Sequence, residues 1–124
     1  MKLRFRNNSV RLRVNRNEVS NLARGAVLQE EVQFPGGARI SYTLESSPSP
    51  SPGASFRDGV IRIAAPRPQI ASWANSDSIG IYFDLPAGAS VLRVAIEKDL
   101  ECIDGPPEER DPAAFPRPAS GKSC

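Results

Sequence analysis

Five arginines near the start of the chain are spaced so that they could bind an anion together: Arg4, Arg6, Arg11, Arg13 and Arg16. Around the first four, charged and apolar residues alternate, as is typical of a strand with one face in solvent. Two such strands would pair as a hairpin. A two-stranded ribbon fits the major groove of DNA, and clustered arginines neutralise phosphates. The spacing therefore predicts a binding site for nucleic acid, or for an acidic protein surface, on a basic hairpin.

The same arginines have another interpretation. Like charges that face each other across a hairpin repel, and this repulsion favours an anionic neighbour inside the protein. Residues 97–111 are rich in carboxylates, and Glu97, Asp99 and Glu101 are candidates for that neighbour. The alternative prediction is therefore a structural or protein-interaction domain whose acidic C-terminal segment neutralises the hairpin. A third interpretation is that the arginines simply face solvent.

The chain offers little for catalysis or metal binding. It contains no histidine, which is the commonest general base and the commonest ligand of transition metals. Cys102 and Cys124 cannot form a structural zinc site by themselves, and we expect both to be reduced thiols. Alternation with Leu28 and Val32 turns Glu30 inward, where we expect its carboxylate to reach water at a barrel end. We therefore predict a non-enzymatic binding module with no catalytic residue, metal or cofactor.

Two copies of one pattern position these residues. A shift of 51 positions places apolar residues on apolar residues, and one further inserted residue continues the match. The matched pairs include Phe5 with Phe56, Val10 with Ile61, Leu22 with Trp73, Leu28 with Ile79, Glu30 with Ile81 and Leu44 with Ile96. Each copy predicts two strands, a short helix and two strands, and one copy is too small to form a core alone. The fold class predicted is α+β, predominantly β, with two pseudo-symmetric ββαββ repeats packed into one barrel-like core with two short helices.

The predicted boundaries follow from composition. Repeats at 2–45 and 54–97 form one domain, 1–99, and are joined by a proline- and serine-rich linker at 46–53. Residues 100–124 are predicted to be an acidic, proline-rich tail, either loose or laid over the body. The first residues lack the apolar segment of a signal peptide, and no stretch is long enough to cross a bilayer. We therefore expect a cytoplasmic protein without membrane contact, as a monomer or a homodimer.

Resemblances to two known families add to these predictions. The segment GVIRIAAP at 59–66, followed by a short helix and a strand at 79–83, resembles the AbrB/MazE swapped-hairpin family, whose repeat is also ββαββ. That resemblance implies an interleaved barrel, and it implies DNA contacts from Arg6, Arg11, Arg13 and Arg16. Separately, residues 1–14, 73–77, 96–102 and 114–116 together resemble a small bacterial family of uncharacterised proteins, and this resemblance implies no activity.

Overall fold

Eight strands and two α-helices form within residues 1–100 and 112–116, which are the parts of the chain that this computed structural model describes. In chain order they are β1 (Lys2–Arg6), β2 (Ser9–Val14), α1 (Arg16–Ala23), β3 (Leu28–Gln33), β4 (Arg39–Ser47), β5 (Gly53–Arg57), β6 (Val60–Pro66), α2 (Arg67–Ala74), β7 (Gly80–Ala87) and β8 (Ser90–Lys98). The order is ββαββ twice, so the predicted fold class, α+β and predominantly β, is confirmed.

The strands form two four-stranded sheets, and each sheet takes one hairpin from each repeat. Sheet A has the order β1-β2-β8-β7, and sheet B has the order β3-β4-β6-β5. Within a hairpin the strands are antiparallel, whereas the joins between repeats, β2 with β8 and β4 with β6, are parallel. The two sheets do not close into a barrel, so the predicted barrel-like core is an open arrangement of two sheets.

The core lies between the inner faces of the two sheets, because alternation gives every strand one apolar side. Leu12 and Ile96 in sheet A and Leu44 in sheet B have no exposed surface, and Ile63 is almost as buried. Burial of side chains of this size contributes roughly 1.5–3 kcal/mol each to folding. The packed residues form a single cluster that also includes the apolar sides of both helices.

Both helices lie at one end of this core. Helix α1 connects the end of β2 in sheet A to the start of β3 in sheet B, and α2 makes the reverse connection from β6 to β7. Asn15 and Glu18 begin α1 with a complete capping box, since each side chain accepts a hydrogen bond from the other residue's backbone N–H. The apolar residues of the helices, which include Leu22 and Trp73, are buried at equivalent places in the two repeats.

The hairpin turns lie at the end of the sheets opposite the helices, and two phenylalanines beside them are more exposed than expected. Asn7 and Asp58 begin equivalent turns with φ of 51°, a left-handed conformation that these two residue types tolerate. Phe5 and Phe56, whose matched apolar positions predict side chains that face inward, are 58% and 66% exposed. Both are on edge strands beside these turns, so neighbouring strands cover them on one side only.

The predicted alignment of the repeats is wrong in one strand pair. Leu28 pairs with Leu44, and the equivalent of Leu44 in the second repeat, Ile96, pairs with Ile81. Leu28 therefore corresponds to Ile81, not to Ile79, and the counterpart of Glu30 is Phe83. The connection between α2 and β7 contains the extra residues. Because the displacement is two residues, the alternation of inward and outward positions is unchanged.

The segment between the repeats is shorter than the composition suggests. Strand β4 continues through Ser46 and Ser47, which pair with Ala65 and Pro66, and β5 begins at Gly53. Only residues 48–52 lie outside strands, although 46–53 were predicted as linker. Serine at 46 and 47 can extend a strand because it keeps its backbone N–H, which the prolines at 48, 50 and 52 lack.

Candidate functional site

The outer face of sheet A brings together all five basic residues of the β1–β2 hairpin. Residues paired across neighbouring strands point to the same side, so the register of the four strands gives three rows of side chains. From the helical end towards the turns, the rows are Lys2-Arg13-Glu97-Gly80, Arg4-Arg11-Ala95-Tyr82 and Arg6-Ser9-Arg93-Asp84. We call this surface the basic face.

Glu97 lies at the centre of the charges on the basic face. Its Oε1 is 3.1 Å from Nε of Arg11 and 3.8 Å from Nε of Arg13, and only 14% of its side chain is exposed. One carboxylate thus forms ion pairs with two guanidinium groups. The side chains of Arg11 and Arg13 are 43% and 34% exposed. Two arginines paired with one acid keep an excess of positive charge.

A second acid, Asp99, follows β8 and forms an ion pair with Lys2 at the start of β1. Its Oδ2 is 2.9 Å from Nζ of Lys2, and its side chain is 8% exposed. The sequence singled out Glu97, Asp99 and Glu101 as neighbours of the hairpin, and the structure places the first two in ion pairs with it. Glu101 lies outside the described residues, as do Cys102 and Cys124.

Three arginines of the basic face are exposed and have no ion pair within the described part of the chain: Arg4, Arg6 and Arg93. Counted with the paired residues, six basic side chains share this surface with three acids. The basic residues are Lys2, Arg4, Arg6, Arg11, Arg13 and Arg93, and the acids are Asp84, Glu97 and Asp99. The surface is therefore positive, and its uncompensated charge lies along β1 and near the hairpin turns.

Tyr82 adds an aromatic ring to the basic face. A methyl group on Gly80 would lie 2.7 Å from the tyrosine hydroxyl oxygen and 2.8 Å from Cζ, so the ring extends back along the strand over the glycine. The hydroxyl donates to Oε2 of Glu97 at 2.7 Å. Burial and this hydrogen bond raise the pKa of Tyr82 to about 12. The side chain is held in place although the residue is 59% exposed.

Arg16 lies apart from the other four predicted arginines. It is the first residue of α1, after the end of β2, and its backbone N–H donates to the carbonyl of Ala113 at 2.9 Å. Its Nη2 is 3.5 Å from the carbonyl oxygen of Pro112. The structure therefore brings Arg4, Arg6, Arg11 and Arg13 together on one face and places Arg16 beside the segment 112–116.

The segment 112–116 packs against the end of β8. Phe115 forms an isolated bridge with Leu100, and its backbone N–H donates to the carbonyl of Asp99 at 2.7 Å. Lys98, which is 8% exposed, donates to the carbonyl of Ser76 at 2.7 Å, and its Nζ lies 5.4 Å from the centre of the Phe115 ring. This part of the predicted tail is laid over the body of the protein.

Tyr82 and Arg93 belong to the basic face, although the sequence did not predict them as site residues. Alternation was the available signal, since Gly80, Tyr82 and Asp84 are on the side opposite Ile81 and Phe83. That signal predicts an outward position, but it does not reveal that β8 lies beside β2. The parallel join between the repeats makes one surface from residues far apart in the chain.

Glu30, the other acid that the sequence singled out, lies at the surface. The side chain of Glu30 is 44% exposed, and its Oε1 is 3.2 Å from the amino group of Met1, so it reaches solvent as expected. Among residues 1–100 and 112–116, no three cysteine, aspartate or glutamate side chains are grouped so that they could hold a metal ion. In those same residues neither helix has the length and apolar character needed to cross a membrane.

Comparison with known proteins identifies a family for the chain but no activity. The chain belongs to a family of unknown function, DUF7009, whose sequence model matches residues 1–119. No curated protein and no solved structure matches the chain. The predicted membership of an uncharacterised family is confirmed, whereas the resemblance to the AbrB/MazE family stays a prediction.

Proposed function

We propose that this protein is a non-enzymatic module that binds nucleic acid through the basic face. The observation that carries the proposal is the excess of six basic over three acidic side chains on one solvent-facing sheet surface. Arg4, Arg6 and Arg93 form no ion pair among the described residues, although Asp84 is opposite Arg93 across the strands, and their exposed side chains can reach phosphates. Clustered basic side chains bind a polyphosphate backbone because each neutralised phosphate releases condensed counterions.

The extent of the surface supports a polymer as the ligand. Strands lie about 4.8 Å apart, so β1 and β7 are separated by roughly 14 Å across sheet A. The uncompensated arginines are distributed over β1 and β8, and no enclosed cavity is needed to hold a ligand that lies along a surface. The expected cytoplasmic location, which stays a prediction, would expose such a face to nucleic acid.

Salt titration tests the proposal. A fluorescently labelled oligonucleotide should bind at about 50 mM salt and lose affinity steeply towards about 200 mM, with a linear relation between the logarithms of affinity and salt concentration. The double variant R4A/R6A should flatten that slope by about 1.4–1.8, since two phosphate contacts are removed. Absence of binding by the wild type at low salt would remove the proposal.

A matched control removes the same charge from the other sheet. Arg39 and Arg57 are exposed and belong to β4 and β5 of sheet B. The double variant R39A/R57A should leave the slope of the salt titration unchanged. Equal effects of the two double variants would mean that net charge, and not the basic face, determines binding.

The ion pairs of Glu97 and Asp99 favour a second candidate. In a structural or protein-interaction domain, these carboxylates would neutralise the hairpin and stabilise sheet A, with no role for nucleic acid. This candidate expects removal of Glu97 to lower stability without any gain in anion binding. The first candidate expects a gain, because Arg11 and Arg13 become available to phosphates.

A further inference from the structure

The hairpin of β1 and β2 is not a free two-stranded ribbon. Its second strand, β2, pairs with β1 on one side and with β8 on the other, so the hairpin is half of a four-stranded sheet. Such a sheet is roughly 14 Å wide between its outer backbones, whereas the major groove of DNA is about 12 Å wide. Insertion of the basic face into a duplex groove, the mode that the sequence suggested for a ribbon, does not suit this geometry.

The ring of Tyr82 has the position of a stacking platform. It extends over Gly80, where there is no side chain to lift it from the sheet, and its hydroxyl is held by Glu97 at 2.7 Å. A ring anchored at its hydroxyl and lying along a strand presents a face to solvent. With 59% of Tyr82 exposed, that face is open to a planar ligand. Stacking of a base on an aromatic ring requires only an accessible π-face and is tolerant of sequence.

The basic face places this ring beside cationic groups. Tyr82 belongs to the middle row by its backbone, but its ring extends over Gly80 into the neighbouring row. There Glu97 accepts from its hydroxyl and is ion-paired with Arg11 and Arg13. Arg93, which is exposed, lies in the row nearest the turns, on the other side of the Tyr82 backbone from Gly80. An unpaired strand can place a base on the ring and its phosphates on the arginines at the same time. In a duplex the base faces are covered by neighbouring base pairs, so no base can stack on the ring.

We propose that the basic face binds single-stranded nucleic acid in preference to duplex, with Tyr82 as the ring on which a base stacks. This inference rests on the proposed function and adds to it the form of the ligand. Gly80 and Glu97 act as positioning residues, because they set where the ring of Tyr82 lies.

Competition between matched ligands tests the preference. A labelled strand of about 20 nucleotides is bound to the full chain and is then displaced by the same strand unlabelled or by its duplex, at equal phosphate concentration. We expect the single strand to compete more strongly. Replacement Y82L should weaken single-strand binding by about fivefold to 140-fold, the range for loss of one base–aromatic stack, while the salt slope stays the same.

Two further variants separate stacking from loss of structure. Y82F keeps the π-face and should bind within a few-fold of the wild type. F56L removes an aromatic side chain of similar exposure from sheet B and should have no effect. A strand that contains 2-aminopurine adds a direct signal, since stacking on the ring should quench its fluorescence with the wild type and Y82F but not with Y82L.

The outcomes distinguish the two proposals. Duplex binding as tight as single-strand binding, or Y82L that binds the single strand like the wild type, would overturn this inference and leave the basic face as a phosphate-binding surface. Failure of both ligands to bind the wild type at low salt would overturn the proposed function together with the inference. Preferential single-strand binding that depends on the aromatic ring would support both.

Discussion

If the basic face binds nucleic acid as proposed, replacement of Glu97 by glutamine removes a charge that competes with phosphate for Arg11 and Arg13. In E97Q the amide oxygen still accepts the hydroxyl hydrogen bond of Tyr82, so the ring keeps its support. The guanidinium groups of Arg11 and Arg13, now 3.1 and 3.8 Å from the carboxylate oxygen, lose their ionic partner. We expect tighter binding of nucleic acid and a steeper dependence of that binding on salt.

The size of the effect follows from the two arginines released. Each phosphate neutralised in a single strand contributes about 0.7 to the salt slope, so two additional contacts steepen it by up to about 1.4. Between about 50 and 200 mM salt, E97Q should then lose about sevenfold more affinity than the wild type. The two ion pairs are partly exposed and contribute about 0.2–1 kcal/mol each to folding, so E97Q should lose no more than about 2 kcal/mol of stability.

Fluorescence anisotropy with a labelled oligonucleotide measures the slopes, and urea unfolding measures the stability of the same samples. The matched control is E31Q. Glu31 is on the outer side of sheet B, where its Oε1 is 3.4 Å from Nη1 of Arg39, and its loss changes the net charge equally. We expect E31Q to leave the salt slope unchanged.

An unchanged slope and unchanged low-salt affinity in a folded E97Q would refute the reasoning that Glu97 competes with the ligand. If E97Q were also less stable than the wild type, the result would favour the second candidate, in which the carboxylate serves only to stabilise sheet A. A gain in affinity of equal size in E31Q would instead assign the effect to net charge.

Three further predictions concern the fold and the tyrosine. Replacement L22A deletes a side chain with no exposed surface and should lower the free energy of unfolding by about 2–5 kcal/mol in urea titrations; a loss below 1 kcal/mol would contradict the packing described for α1. Replacement N15A removes half of the capping box and should cost about 0.5–2 kcal/mol in the same assay, with no cost expected if the cap does not form. Absorbance at alkaline pH, compared with Y82F, should show Tyr82 ionising near pH 12 and at lower pH in E97Q. Because its pKa exceeds the unfolded value of 10.0, its contribution to stability is complete below pH 10 and is lost as the pH rises towards 12; ionisation near pH 10 would contradict the hydrogen bond to Glu97.

Alternation and repetition predicted most of the fold. The strands and the equivalence of Leu22 with Trp73 follow from local patterns that the structure retains. The error at Leu28 has a physical cause, because a displacement of two residues preserves the facing of every side chain. Burial patterns alone therefore do not distinguish Ile79 from Ile81 as its counterpart.

The candidate site was predictable only in part. The alternating arginines of β1 and β2 were expected on one face, and they lie there. Arg16 was grouped with them by proximity in sequence, yet it belongs to a helix and lies beside residues 112–116. Tyr82 and Arg93 join the face through a parallel pairing between repeats, and no local pattern specifies which hairpins share a sheet.

Each sheet contains one hairpin from each repeat, and this arrangement has a consequence for synthesis on the ribosome. Strand β2 emerges early, but its parallel partner β8 is the last strand, and roughly 80 residues separate them. At about 5–20 residues per second, the nascent chain carries β2 with an unpaired hydrogen-bonding edge for about 4–16 s. Sheet B is complete once β6 has emerged, so it can form first and give the later strands a surface on which to assemble. Factors that shield nascent chains should therefore matter most for the first hairpin.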